Sequence, residues 1–263
     1  MKNDPKLLIG GVILILLILG GVLWYMMSNP APEPSELPTV PAGPSIGQSE
    51  RISENGQYHE VSAEYPATTP LRASAGAEAD AAAVAAFRSF EERIIETFKD
   101  QSGLATLTEE EIEMFGLGNE RKYAIGIDYE MYQSKATVSY VFMIYEDTLG
   151  AHPNGYYRTF TFDLETGAGL QLSELFAPDV DYLTVLSQKS REALYEQLGE
   201  NAVSDMLEPG TTPDEDNYQN FYLEGDALVI IFAPYQVGPW AIGTQEVRIP
   251  TSELSGMLKA EYQ

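Results

Sequence analysis

The sequence predicts an α+β fold standing behind an N-terminal transmembrane helix and a Pro-rich linker. Three observations predict it: a long uncharged apolar run near the N-terminus, strand-length segments that alternate with period two, and two longer segments whose apolar residues recur every three or four positions. Runs of strands with one helix per half point to antiparallel sheets each packed with a helix, and away from alternating βαβ units.

Leu7–Met27 holds 21 residues without a charge. At about 1.5 Å per residue it spans roughly 30 Å, the thickness of a bilayer hydrocarbon core. Trp24 and Tyr25 stand at its far end, where interfacial aromatics belong. Lys2 and Lys6 precede it, and no Lys or Arg follows before Arg51. The positive-inside rule therefore expects a single-pass protein of the cell membrane, with a cytoplasmic N-terminus and an extracytoplasmic C-terminal part. A cleavable signal peptide is the competing reading, but the run is long for one. Ser28–Pro32 also lacks a small-x-small cleavage site, which favours an uncleaved anchor.

Asn29–Ser49 contains six prolines and reads as a semi-extended spacer. His59–Pro66 alternates weakly and ends at a proline, as a strand does. Ala75–Asp100 is a helix, with Val84, Phe87, Ile94 and Phe98 on one stripe and Gly103 beyond its end. Thr108-Glu109-Glu110-Glu111 is a capping box opening a short helix to Phe115, closed by Gly116. Tyr123–Met131 and Val138–Ile144 then alternate as a hairpin with one buried face.

A tight Gly150–Gly155 loop around His152 follows, and Tyr156–Asp163 returns as an aromatic strand continued by Leu170–Leu172. Asp181–Gly199 is the second amphipathic helix. Tyr218–Leu223 and Ala227–Ala233 pair around Gly225. An irregular aromatic loop, Pro234–Gly243, leads to a last strand at Gln245–Pro250 and a closing helix at Thr251–Glu261. The expected division is a cytoplasmic stub and anchor at 1–28, a linker at 29–55, a smaller α+β domain at 56–146 and a second at 147–263.

Lys and Arg number 15 against 40 Asp and Glu, a net charge of −25 over 263 residues. That excess repels nucleic acid, anionic headgroups and anionic wall polymers, and attracts a basic protein or a cation; a solvated acidic surface serving only solubility accounts for it equally simply. No cysteine is present. Disulfides, thiolate metal sites, cysteine nucleophiles and a cysteine-linked lipid are thereby excluded.

The ordered motifs Gly150-Ala151-His152-Pro153-Asn154, Phe160-x-Phe162-Asp163-Leu164-x-Thr166-Gly167 and Leu172-x-x-Leu175-Phe176 are followed by Phe232-x-Pro234-Tyr235-x-Val237-Gly238-Pro239-Trp240-Ala241-x-Gly243. Together they resemble the C-terminal domain of the RsiV anti-sigma factor ectodomain. They are also similar to the module beside the catalytic domain of membrane-anchored peptidoglycan deacetylases. The preceding half, about Tyr58–Glu146, is similar to the smaller PdaC-like domain that comes before it. The resemblance implies an extracytoplasmic recognition module, and in the anti-sigma relatives the equivalent ectodomain binds lysozyme, a basic protein. About six residues precede the anchor and no deacetylase catalytic domain is present, so neither sigma-factor binding nor that catalysis carries over.

Catalytic motifs do not supply a rival. A zinc site at His152 would need His59 and remote carboxylates, with no HExxH spacing. No Gly-x-Ser-x-Gly elbow, phosphate-cradling loop or EF-hand spacing occurs. His152 reads as a turn-fixing or partner-contacting residue, with general base and metal ligand as the sharper alternatives. Tyr235 and Trp240 on a Gly-Pro loop read either as interface anchors or sugar platforms, or as caps on the core. The expectation is a non-catalytic domain without cofactor or metal. It binds lysozyme-like basic protein or peptidoglycan through His152, Asn154, Tyr156, Tyr235 and Trp240. An envelope enzyme acting on wall glycan and a structural subunit of an envelope complex are the alternatives.

Overall fold

The computed structural model describes residues 48–118 and 121–263. The expected anchor Leu7–Met27 and the linker up to residue 47 lie outside them. Among the described residues no helix is long and apolar enough to cross a membrane.

The fold is mixed α and β. Six strands form one sheet in the order of the chain: β1 (Ser49–Asn55), β2 (His59–Pro66), β3 (Tyr123–Gln133), β4 (Thr137–Asp147), β5 (Asn154–Asp163) and β6 (Gly169–Leu170). Ser49–Asn55, expected to close the linker, is instead paired with β2 along its whole length. Between β2 and β3 run helix α1 (Gly76–Gln101) and helix α2 (Glu109–Phe115). This crossover carries the chain from the end where β2 finishes back to the end where it began, so β2 and β3 pair in parallel from His59↔Tyr123 to Ala63↔Ile127. The expectation of wholly antiparallel sheets is corrected here: helices inserted between two neighbouring strands force the parallel pairing.

A second sheet holds β7 (Phe221–Glu224), β8 (Ala227–Phe232) and β9 (Gln245–Pro250), all antiparallel. Helix α3 (Tyr182–Leu198) and the short helix α4 (Ser204–Gly210) precede it. The expected closing helix at Thr251–Glu261 is two 3-10 turns, Thr251–Leu254 and Ala260–Tyr262. Gly256 between them takes φ +80°, which no continuing helix tolerates.

Residue parity builds the layers. In the first sheet Ile127, Met131, Tyr140, Phe142, Ile144 and Phe162 face α1, whose Ala83, Phe87, Phe90, Ile95 and Phe98 recur at helical spacing. Phe87 lies at ring-centroid distances of 4.7 Å from Tyr140 and 5.4 Å from Phe142. The opposite parity, with Tyr132 and Val141, meets Tyr222, Val229 and Ile231 of the second sheet. The outer face of that sheet, with Leu223, Leu228, Ile230 and Ile249, packs on Leu186 and Leu194 of α3. The result is four layers: helix, sheet, sheet, helix. β4 and β5 pair from Thr137↔Asp163 to Glu146↔Asn154, so the first sheet runs straight across the expected division at 146/147.

The Thr108 box behaves as the sequence reads, and the structure adds a cap on α3. Thr108 accepts from Glu111 N while Glu111 returns to Thr108 N, and Gly116 closes α2 at φ +63°. Asp181 caps α3 by accepting from Thr184 N at 3.2 Å.

Candidate functional site

Two loops at one end of the sheets make the site. The first, Ala233–Thr244, joins β8 to β9. It is pinned from within: Gln236 donates its Nε2 to Gly210 O at 3.2 Å and Asn217 O at 2.9 Å, and accepts from Ala233 N at 3.3 Å. Val237 is fully buried beside it. Gly210 has no alternative there, because a β-carbon would stand 2.0 Å from Gln236 O. With Gln236 and Val237 turned inward, Tyr235 is pushed into the left-handed region at φ +71° and is left 51% exposed. A non-glycine residue there costs about 1 to 3 kcal/mol, which the anchors on either side must supply.

The second loop joins β4 to β5. Asp147 accepts from Leu149 N at 2.7 Å, Leu149 takes φ +60°, and Pro153 leads into the strand. His152 projects from it into solvent and across to the first loop. Its ring stacks on Trp240 with centroids 4.7 Å apart and planes 23° apart. Nδ1 lies 2.9 Å from Pro153 O and Nε2 2.8 Å from the Tyr235 hydroxyl. A carbonyl only accepts, so Nδ1 donates to Pro153 O, and Nε2 pairs with the Tyr235 hydroxyl. Both ring nitrogens are thereby committed to fixing the ring. Trp240 is half-buried, lies outside all three core clusters and carries the His152 ring against its face.

Three of the five residues singled out in the sequence, His152, Tyr235 and Trp240, therefore meet in one exposed cluster. Asn154 and Tyr156 do not join it. Asn154 is exposed at the start of β5, opposite Glu146. Tyr156 turns toward α1 and donates its hydroxyl to Glu146 at 2.9 Å, and burial pushes that hydroxyl well above its ordinary range. The neighbour with the other parity, Tyr157, takes the place expected of it: its hydroxyl accepts from Thr244 Oγ1 at 3.0 Å, just beyond the Trp240 turn.

Behind this cluster, between the sheets, lies a polar layer that sequence reasoning missed. Tyr132 and Tyr222 stack with centroids 4.0 Å apart. Tyr132 donates to Glu130 at 2.5 Å and Tyr222 to Glu246 at 3.3 Å. Burial raises both carboxyls above the ordinary range. The tyrosine hydrogen bonds oppose the rise, and the charge of Glu246 adds to it at Glu130. No local signal announces this layer, because Glu130 shares the parity of Asp128, which the sequence reads as the outer face of the hairpin. Among the described residues no group of three or more His, Asp or Glu could hold a metal ion.

Residues 173–252 match a family described as a protein of unknown function (DUF3298). The chain is similar to the peptidoglycan-N-acetylmuramic acid deacetylase PdaC of Bacillus subtilis, 31% identical over 143 residues that cover 54% of this chain and 31% of that protein. It is also similar to the anti-sigma-V factor RsiV of Bacillus subtilis, 34% identical over 113 residues that cover 40% of this chain and 38% of that protein. The chain thus spans between 31% and 38% of the length of these two relatives. A crystal structure of a DUF3298 member from Bacteroides fragilis shares the fold, with a TM-score of 0.53 at 19% identity over 81% of this chain and 94% of that one. The resemblance to RsiV and PdaC read from the ordered motifs is borne out. Tyr235 and Trp240 fall inside the family match, and His152 lies before it.

Proposed function

We propose that residues 48–263 form a non-catalytic recognition domain, held outside the membrane by Leu7–Met27, that binds a basic protein such as lysozyme or cell-wall peptidoglycan. The observation that carries this reading is the His152–Tyr235–Trp240 cluster. It presents two aromatic rings and an imidazole at the surface in one fixed arrangement, and rigid aromatic anchors supply contact area at low ordering cost. The net charge of −25 suits a basic partner by raising the rate of encounter. The relatives support an envelope setting, since one is a peptidoglycan deacetylase and the other an anti-sigma factor.

Titration calorimetry of the full chain in detergent micelles against lysozyme, and separately against muropeptides, tests this. Binding to one of them, weakened at least about tenfold in Tyr235→Ala/Trp240→Ala, is the expected result, since anchors of this kind contribute about 1.4 kcal/mol or more. No heat with either ligand at millimolar concentration removes both versions. Turnover of purified peptidoglycan that disappears in His152→Ala would replace the reading with an envelope enzyme.

A further inference from the structure

The outer edge of β5 is open along half its length. Asp163 N donates outward to Ala168 O, and Leu164 N donates inward to Ala136 O beside β4. Alternate residues of an antiparallel strand direct both backbone groups to the same side. Asp163, Thr161, Thr159 and Tyr157 therefore offer their N–H and C=O to the outer edge. Thr161 is taken by Leu170 of β6, which is only two residues long. Among the described residues no strand pairs with Thr159 or Tyr157 on that side. An unpaired edge is a template for another strand.

From Arg158 to Phe162, β5 floors a cleft of about 440 Å³. One wall is apolar, formed by Phe160, Phe162 and Ala86 of α1. The opposite wall carries Glu215, Asp216 and Gln219. That wall is tied to the floor, because Thr159 Oγ1 donates to Gln219 O at 3.3 Å and accepts from Phe221 N at 3.1 Å. Arg158, the cation among the lining residues, lies on the apolar side with its guanidinium 5.8 Å from the centre of the Phe160 ring. The two walls thus differ in the chemistry they offer, and a strand lying between them would send alternate side chains to each.

We propose that this cleft binds an extended polypeptide segment as an added strand beside β5. The segment alternates apolar residues, which meet Phe160 and Ala86, with Lys or Arg, which meet Glu215 and Asp216. Backbone bonds to Thr159 within the cleft, continued to Tyr157 beyond its lining, supply affinity and the two walls supply register, the division of labour in strand addition generally. The site is separate from the His152–Tyr235–Trp240 cluster and does not depend on what that cluster binds.

The test uses the full chain in micelles and a fluorescein-labelled peptide, acetyl-Lys-Val-Lys-Val-Lys-Val-Lys-amide, followed by anisotropy. Three results are expected. A version N-methylated at alternate residues, which keeps the charge but loses the donors, binds at least about tenfold more weakly, as the loss of one or two net hydrogen bonds requires. Glu215→Gln/Asp216→Asn weakens the parent peptide by roughly three- to tenfold. Hydrogen exchange slows in the segment holding residues 155–160 and not in 234–243. Equal affinity for the methylated and parent peptides reduces the effect to bulk charge attraction and overturns the proposal. So does protection confined to 234–243, or concentration-dependent dimerisation without peptide that protects 155–160, which would make a second copy the occupant. Since Tyr235→Ala/Trp240→Ala leaves peptide binding unchanged here, failure of one site is read separately from failure of the other.

Discussion

The two cores of this fold are built from different materials. The core between α1 and the first sheet is aromatic: Phe87, Phe90, Phe98, Tyr140, Phe142 and Phe162 dominate it. The core between the second sheet and α3 is richer in leucine, with Leu175, Leu186, Leu194, Leu207, Leu228 and Leu254 fully buried around the aromatic pair Tyr218 and Phe232. The aromatic side also buries Glu91 of α1 completely, with neither carboxylate oxygen hydrogen-bonded. Burial pushes that carboxyl up to about 8, and the charge of Asp128 adds to the rise. The leucine-rich core, by contrast, buries no carboxylate completely among the described residues. The lesson is that the raised carboxyls are gathered on the two faces of the first sheet, Glu91 against one and Glu130 and Glu246 against the other, and the α3 side is spared.

The largest effect should come from the cores themselves. Phe87→Ala is expected to cost about 3–5 kcal/mol and Leu186→Ala about 2–5 kcal/mol, read from urea unfolding. Because Tyr132, Val141, Tyr222 and Val229 form a shared layer between the sheets, both variants should lower one common transition. Two separate transitions would show that the cores are independent.

Next is Glu91. Its folded-state carboxyl keeps its proton up to about 8, whereas the unfolded chain releases it near 4.5. The unfolded state therefore binds fewer protons over that window, so stability is greatest below it, falls as pH rises through it, and is level above it. The loss should be on the order of 3 kcal/mol once relaxation around the charge is allowed for. Glu91→Gln should flatten the curve between these limits, measured by unfolding at a series of pH values, and Leu186→Ala should leave its shape intact. A wild-type curve that rises with pH would contradict the assignment.

Smaller effects test the site and the caps. Gly210→Ala drives a methyl into the Gln236 carbonyl and should cost about 1–3 kcal/mol. It should also disturb the Tyr235–His152 contact, visible as altered Trp240 fluorescence. Thr108→Ala, which removes only the α2 cap, should cost about 1 kcal/mol and leave that fluorescence unchanged.

Much of this was legible in the sequence because it is written in local periods. The stripe of α1, the Thr108 box and the β3–β4 hairpin each depend on residues within a turn or two of one another. What was not legible depends on pairing at a distance. Tyr156 and Tyr157 are adjacent, and only the register of β5 against β4 decides which ring faces α1; a slip of one residue would exchange them. Likewise His152 and Tyr235 stand 83 positions apart, and their contact exists only once the second sheet has docked. Nothing local announces a buried carboxylate at Glu91, which stands beside Phe90 on the buried stripe of α1.

The parallel β2–β3 pairing has a consequence in time. β3, β4 and β5 are joined by short connections and can assemble by closing small loops, a process of microseconds to milliseconds for such hairpins and meanders. His59 cannot find Tyr123 until α1 and α2 have formed and swung over the sheet, so the β1–β2 pair is added to a surface that already exists. The N-terminal hairpin is therefore expected to dock last during folding and to leave first on partial unfolding. Pulse-labelled hydrogen exchange should accordingly find protection at Val141 and Phe142 before Val61 and Ala63, and simultaneous protection of both pairs would rule out that order.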